Sequence, residues 1–238
     1  MIVTTSWDDG HPLDMKLLSL LEKYNMRATF YVPITNPENP VMGKKLIREI
    51  SACQEVGGHT LNHLYLNHLN DTDAEYEITQ CKIRLEEITG NPPTAFCFPG
   101  GKYSTRDIGL IKKAGFLFGR TTRLLTCSRP GSALMDTTVQ VHNHSTITLI
   151  NHCVKNSNLS SIPTNMFFLP FNKNFLKLAE ALLLRNLDSN CVYHIWGHSW
   201  EIEQFNMWKP LEELFKLINT CDNIILLNNT ETWKAING

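Results

Sequence analysis

Four short stretches of this 238-residue chain carry residues able to do chemistry. Asp8-Asp9-Gly10 sets two carboxylates side by side where an apolar run, residues 1–7, stops. Like charges at that spacing repel, and a stable protein ordinarily separates them or pairs them with cations. Gly57-Gly58-His59-Thr60-Leu61-Asn62-His63 holds two imidazoles four residues apart. On a helical turn they would share a face, about 5–6 Å apart at Cβ. One divalent ion can bind between them, and one carboxylate would complete a three-ligand site with a position open for water. Pro99-Gly100-Gly101 is a glycine turn, and Gly197-His198-Ser199-Trp200-Glu201 sets a histidine three residues from a carboxylate. Together they offer metal ligands, an acid and a base, and oxyanion donors.

These stretches need a scaffold that brings them to one place. Short apolar or β-branched runs at 1–7, 27–33, 94–98, 116–122, 138–142, 191–196 and 223–228 predict strands. Apolar spacing of three and four predicts helices over 12–25, 43–56, 72–89, 104–114, 173–187 and 207–220. The helix at 72–89 has an acidic start in Asp71-Thr72-Asp73 and stops at Gly90 and Pro92-Pro93. Alternating strand and helix argues an α/β protein with a parallel sheet, open or closed into a barrel. In such barrels the catalytic groups gather on loops after the strands' C-terminal ends, where three of the stretches fall, the histidine pair following the second helix. Residues 124–170, rich in Ser, Thr and Asn, read as longer loops around one or two strands.

Composition narrows the class. With 42% hydrophobic and 19% charged residues the chain reads as an ordinary globule, and we expect one domain over 1–238. A net charge of −1 gives no reason to expect nucleic acid or an anionic membrane as partner. No stretch is long enough to span a bilayer and the opening residues carry no signal-peptide pattern, so a cytoplasmic location is expected. Seven scattered cysteines without CxxC spacing read as reduced thiols.

The order of TSWDDG, HTLNH, an F-x-x-P-x-G turn and a late apolar-x-His strand end resembles the polysaccharide deacetylases, the NodB-homology carbohydrate esterases of family four. The resemblance runs from Thr5 to about Glu201. It implies a distorted, incomplete (β/α) barrel, seven-stranded and TIM-like, with one divalent metal ion: zinc first, with cobalt, nickel or manganese as alternatives. It also implies hydrolytic removal of an N-acetyl group from an amino sugar, so the expected partner is an N-acetylated saccharide. By position, Asp9, His59 and His63 match the metal triad and Asp8 the general base. Gly100 N–H matches the oxyanion donor and His198 the acid for the leaving amine. Pro99, Trp200 and Glu201 are candidates for supporting or substrate contacts. Two departures stand out. Cys97 occupies the place of an Arg that holds the base carboxylate, and the Asp that tunes the late histidine has no clear counterpart. Asp136, Arg120, Arg123 and Glu201 are possible substitutes. Other readings are a deformylase or another C–N amide hydrolase on this fold, and a carbohydrate-binding barrel that keeps its metal without catalysis.

Other conspicuous residues take plainer readings. His142-Asn143-His144 lacks the lysine or aspartate partners of a two-metal site, and His11 reads as turn filler. His68 and His152 read as exposed, and His194 as a core residue pointing away from His198. Cys53, Cys81, Cys153 and Cys221 read as small buried hydrophobes. Trp196, Trp200, Phe205 and Trp208 suit sugar stacking or the packing of the last helix equally.

Overall fold

Successive side chains of the central strand β1 (Ile2–Asp8) point to opposite faces of the sheet. Val3 and Trp7 point outward into the main apolar core, packed with Leu17, Leu18 and Leu21 of the first helix. Thr4, Ser6 and Asp8 point into the barrel and find polar partners there, Asn229, His194 and Arg120. The computed structural model describes residues 1–155 and 174–238, without the side chains of 153–155. The Cys153 side chain, the first residue of the 173–187 helix and part of the 124–170 loop therefore lie outside the described residues.

The strands are β1, β2 (Ala28–Val32), β3 (Glu55–Gly58), β4 (Ala95–Cys97), β5 (Phe118–Arg120), β6 (Leu134–Met135), β7 (Val139–Gln140), β8 (Val192–Gly197) and β9 (Ile225–Leu226). They form one parallel sheet in the order β6-β5-β4-β3-β2-β1-β8-β7, with β9 beside β1. The helices are α1 (Asp14–Lys23), α2 (Lys44–Ser51), α3 (Asp71–Thr89), α4 (Thr105–Lys113), α5 (Thr146–Lys155), α6 (Phe175–Asn186), α7 (Ser199–Gln204), α8 (Trp208–Thr220) and α9 (Asn229–Asn237). The sheet curls into an incomplete (β/α) barrel whose end strands, β6 and β7, do not pair among the described residues.

Among the described residues nine strands stand where seven were expected. The added β6 is two residues long, too short for a pattern. β3 was hidden because its second half is Gly57-Gly58, which carries no strand propensity. Gly57 is required there: a Cβ would sit 2.6 Å from the Tyr31 ring. Helix α2 accordingly stops at Ser51 and does not run to residue 56. Within 124–155, α5 forms where loop was expected.

Register sets the site. Trp7 pairs with Gly197, Val32 with Gly58, and Cys97 with Arg120. The residues that follow β1, β3, β4 and β8 therefore emerge along one edge. The opposite end is closed by α9, whose Asn229 accepts from Thr4 Oγ1 (2.8 Å) and donates to the Tyr31 hydroxyl (2.9 Å).

Candidate metal centre and its surroundings

Along that edge lies a cavity of about 540 Å³, lined by Asp8, Asp9, His59, His63, Gly100, His198 and Trp200 among others. The two histidines are not on a helix. The 59–63 segment is irregular, with Thr60 and His63 in left-handed backbone (φ 61° and 56°), and Asp9 is left-handed as well (φ 76°). Such conformations cost of order 1–3 kcal/mol each in non-glycine residues, and the surrounding packing must hold them. Here they turn both imidazoles onto one carboxylate. His63 Nε2 lies 3.1 Å and His59 Nε2 3.6 Å from Asp9 Oδ1. The Cys97 carbonyl takes up His59 Nδ1 at 2.9 Å, which leaves Nε2 facing Asp9. Trp200 Nε1 donates to the other Asp9 oxygen, Oδ2, at 2.9 Å.

This trio fits a divalent ion. One donor atom from each of Asp9, His59 and His63 lies within 4.8 Å of the others. The separations of 3.1 and 3.6 Å bracket the edge of about 3.4 Å of a tetrahedron with bonds of about 2.0–2.1 Å. Asp8, His59 and Cys97 also come within that distance. A thiol must ionise to ligate, and burial pushes the Cys97 thiol well up, against the opposing charge of Arg120. The chemistry therefore favours the first set.

Asp8 is buried and held by Arg120, whose Nη2 donates to Asp8 Oδ1. Burial alone would raise the Asp8 carboxyl, but the Arg120 charge, with His59 and His198, outweighs it and keeps it below the usual carboxylate range. The guanidinium is fully buried between the Trp196 and Tyr31 rings, 4.7 and 5.3 Å from their centroids. Arg120 comes from β5, directly across from Cys97 on β4, and the small thiol, 3.6 Å from Asp8 Oδ2, leaves it room. The missing Arg is thus replaced from the neighbouring strand. A local signal existed: an arginine inside the apolar strand run FLFGRTT must be paired if it is buried.

His198 occupies the N-cap position of α7 without a side-chain capping bond, and its Nδ1 lies 2.6 Å from Glu201 Oε2. Burial would lower this imidazole, but the Glu201 hydrogen bond and the Asp9 and Asp8 charges raise it to about 9. Gln140 Nε2 also donates to Glu201 Oε2, at 3.1 Å. Glu201 is therefore the carboxylate beside the late histidine. Asp136 and Arg123 pair with each other at 2.9 Å.

The remaining candidates divide. Gly100 lines the cavity, whereas Pro99 is buried at the start of its 3₁₀ turn and does not. Trp196 and Trp200 form cavity wall. Phe205 stands edge-on to His142, 4.9 Å away, and Trp208 lies under Lys16. His194 does not point away from His198. Residues 194, 196 and 198 share a face by strand alternation, and His194 lies inside the barrel, 2.9 Å from Ser6 Oγ. Its core placement stands, and burial keeps it neutral, down to about 3. His152 is not exposed in a loop but sits on α5 and lines the cavity. His144 bonds Gln140 at 3.0 Å, and His142 and His144 join no metal-competent group among the described residues. His11 accepts from Leu13 N–H in its turn, and His68 is exposed. Cys81 is buried, Cys221 half-buried, and Cys53 exposed at the end of α2. Glu38, Asn39, Tyr65, Thr122 and Gln140 complete the cavity lining and carried no motif.

The chain matches the family described as polysaccharide deacetylase over residues 1–119, half of its length. A peptidoglycan-N-acetylglucosamine deacetylase of Bacillus cereus is 30% identical over 118 residues, 48% of this chain and 54% of that protein. Matches to the first curated relatives span 54%, 44% and 47% of their lengths. A Mycobacterium smegmatis protein crystallised as a candidate polysaccharide deacetylase superposes with a TM-score of 0.72 at 15% identity, covering 99% of this chain and 89% of that one. The chitin deacetylase of Colletotrichum lindemuthianum gives 0.64 at 19% identity, covering 97% and 86%. Both structures share the fold.

Proposed function

Because the chain belongs to the polysaccharide deacetylase family, we propose that it is a metal-dependent hydrolase that removes an N-acetyl group from an amino sugar. The observation that carries this reading is the meeting, on one cavity, of the Asp9–His59–His63 donor set, the Asp8–Arg120 pair and the His198–Glu201 pair. A divalent ion held by Asp9, His59 and His63, zinc first with cobalt, nickel or manganese as alternatives, would supply a Lewis acid that polarises the acyl carbonyl and acidifies a water. Asp8, kept ionised by Arg120, accepts the proton of the attacking water. The Gly100 N–H donates to the oxyanion that develops on the carbonyl. His198, kept protonated by Glu201, delivers a proton to the amine nitrogen as the C–N bond breaks. Amide and water become free amine and carboxylic acid.

The aromatic walls Tyr65, Trp196 and Trp200 suit the faces of a sugar ring. On this reading the chain works in the cytoplasm on soluble or lipid-linked N-acetylated precursors, a view supported by an odd number of cysteines without the spacing of a disulfide framework. No helix among the described residues is long and apolar enough to cross a membrane.

The test is release of acetate, with formate as control, from N-acetylated oligosaccharides, sugar nucleotides and insoluble polymer. Asp8→Asn should retain metal and lose about 10²–10⁴-fold in kcat. Asp9→Asn should lose metal first and recover partly in excess ion. Identical behaviour of the two variants, or no acyl release by metal-loaded protein across the panel, would overturn the reading.

A further inference from the structure

The gap between the sheet's end strands is crossed by residues 123–128, which leave β5 and run antiparallel to the segment entering β7. Leu125 N–H donates to Thr138 O (2.9 Å), Thr126 N–H to Thr137 O (3.2 Å), and Thr137 N–H to Arg123 O (2.9 Å). The crossing ends where Ser128 makes an isolated antiparallel bridge to Val192, at the start of β8. Alternation puts the residues flanking that bridge, Cys127 and Cys191, on its same side. Their sulfurs lie 2.8 Å apart. Cys191 is 8% exposed and also accepts from Ser189 Oγ at 3.0 Å; Cys127 is half-buried.

We propose that Cys127 and Cys191 are a paired modification site that closes into a disulfide by exchange with a low-molecular-weight disulfide, stapling the open seam of the barrel. The Cys191 thiolate attacks one sulfur of the incoming disulfide, forms a mixed disulfide and expels one thiolate. Cys127 then gives up its proton and attacks Cys191 Sγ, expelling the second thiolate. Two protein thiols are oxidised, one small disulfide is reduced to two thiols, and the S–S bond joins residues 64 apart in sequence. The order of attack follows from the environment. Cys127, donating to it, and the Ser189 hydroxyl outweigh burial and hold Cys191 below the usual thiol range, whereas the bond to Cys191 and burial push Cys127 up.

The site does no catalysis in the proposed reaction. Its structural consequence is specific: the far end of β8 carries His198, and the stapled crossing is hydrogen-bonded to the 137–138 segment beside it. A closed loop of this length is expected to raise Tm by roughly 5–15 °C.

The full chain is equilibrated with oxidised glutathione, quenched in acid, alkylated and digested. The expected result is one cross-linked peptide containing Cys127 and Cys191, with the higher Tm reversed by a phosphine reductant. Cys127→Ser should instead trap glutathione on Cys191 and show no rise in Tm. Cys191→Ser should leave Cys127 unmodified. Alkylation of both cysteines in the equilibrated wild type, a persistent glutathione adduct on it, or a cross-link to another cysteine would overturn the proposal.

Discussion

Three side chains determine how the site's paired carboxylates coexist. Asp9 is turned toward two imidazoles, and Asp8 toward Arg120. Replacing Arg120 by Met would leave the Asp8 charge buried without its partner, a loss of about 3–5 kcal/mol for such pairs. Arg120→Met should therefore lower stability by that order in urea melts. It should also raise the Asp8 carboxyl, moving the acidic limb of the pH–rate profile to higher pH. Arg120→Lys should rescue only in part, because an ammonium lacks the flat surface that the Tyr31 and Trp196 rings enclose. In the proposed mechanism His198 sets the other limb. Its acid form is needed, so turnover falls as pH rises through its pKa, raised to about 9 here and pushed lower by any bound cation. Glu201 raises that pKa, so Glu201→Gln should shift the alkaline limb to lower pH with metal content unchanged. An unmoved limb would show that Glu201 does not tune His198.

At the scale of elements, α9 works as a polar plug. Asn228 and Glu231 form a reciprocal capping box at its start, which fixes the helix entry. Asn229 then reaches into the barrel, bonding Thr4 and Tyr31 through its side chain and Thr29 Oγ1 through its N–H. Asn229→Ala would leave the Thr4 and Tyr31 hydroxyls buried without this partner, and each such loss costs about 1–3 kcal/mol. The variant should lose roughly 2–4 kcal/mol in denaturant titration while keeping any metal affinity, since the proposed ligands stand at the other end of the strands. A parallel loss of metal would show that the two ends are coupled through Tyr31 and Arg120. Helices α1, α2, α3, α4, α6 and α8 were legible because an amphipathic pattern is a local property, whereas α5 and α7 were not expected. α9 was missed: its function is polar, and Asn-Asn-Thr-Glu looks like a loop until the barrel floor stands opposite it.

For the whole molecule, the proposed ion would join the loop after β1 to the loop after β3, elements about fifty residues apart in sequence. Binding to the folded state alone should raise apparent stability by about 2.7 kcal/mol at a hundredfold excess over Kd. Zinc, cobalt, nickel or manganese titrated into chelator-treated protein should raise Tm, and His63→Ala should abolish the rise; an equal rise in that variant would move the ligand set elsewhere. What the sequence determined by itself was the alternation of strand and helix, an α/β class with a parallel sheet that the motif resemblance implied to be an incomplete barrel, and the four stretches that meet at one edge. Each depends on neighbouring residues or on the rule that strand ends share a face. Only the tertiary structure decided which cation holds Asp8, that Glu201 and not Asp136 stands beside His198, and that Cys127 meets Cys191. Those pairings join residues 112 and 64 positions apart, and one that joins neighbours depends on the turn between them. Side-chain identity states what a residue can bond; the curl of the sheet and the register of its strands choose the partner.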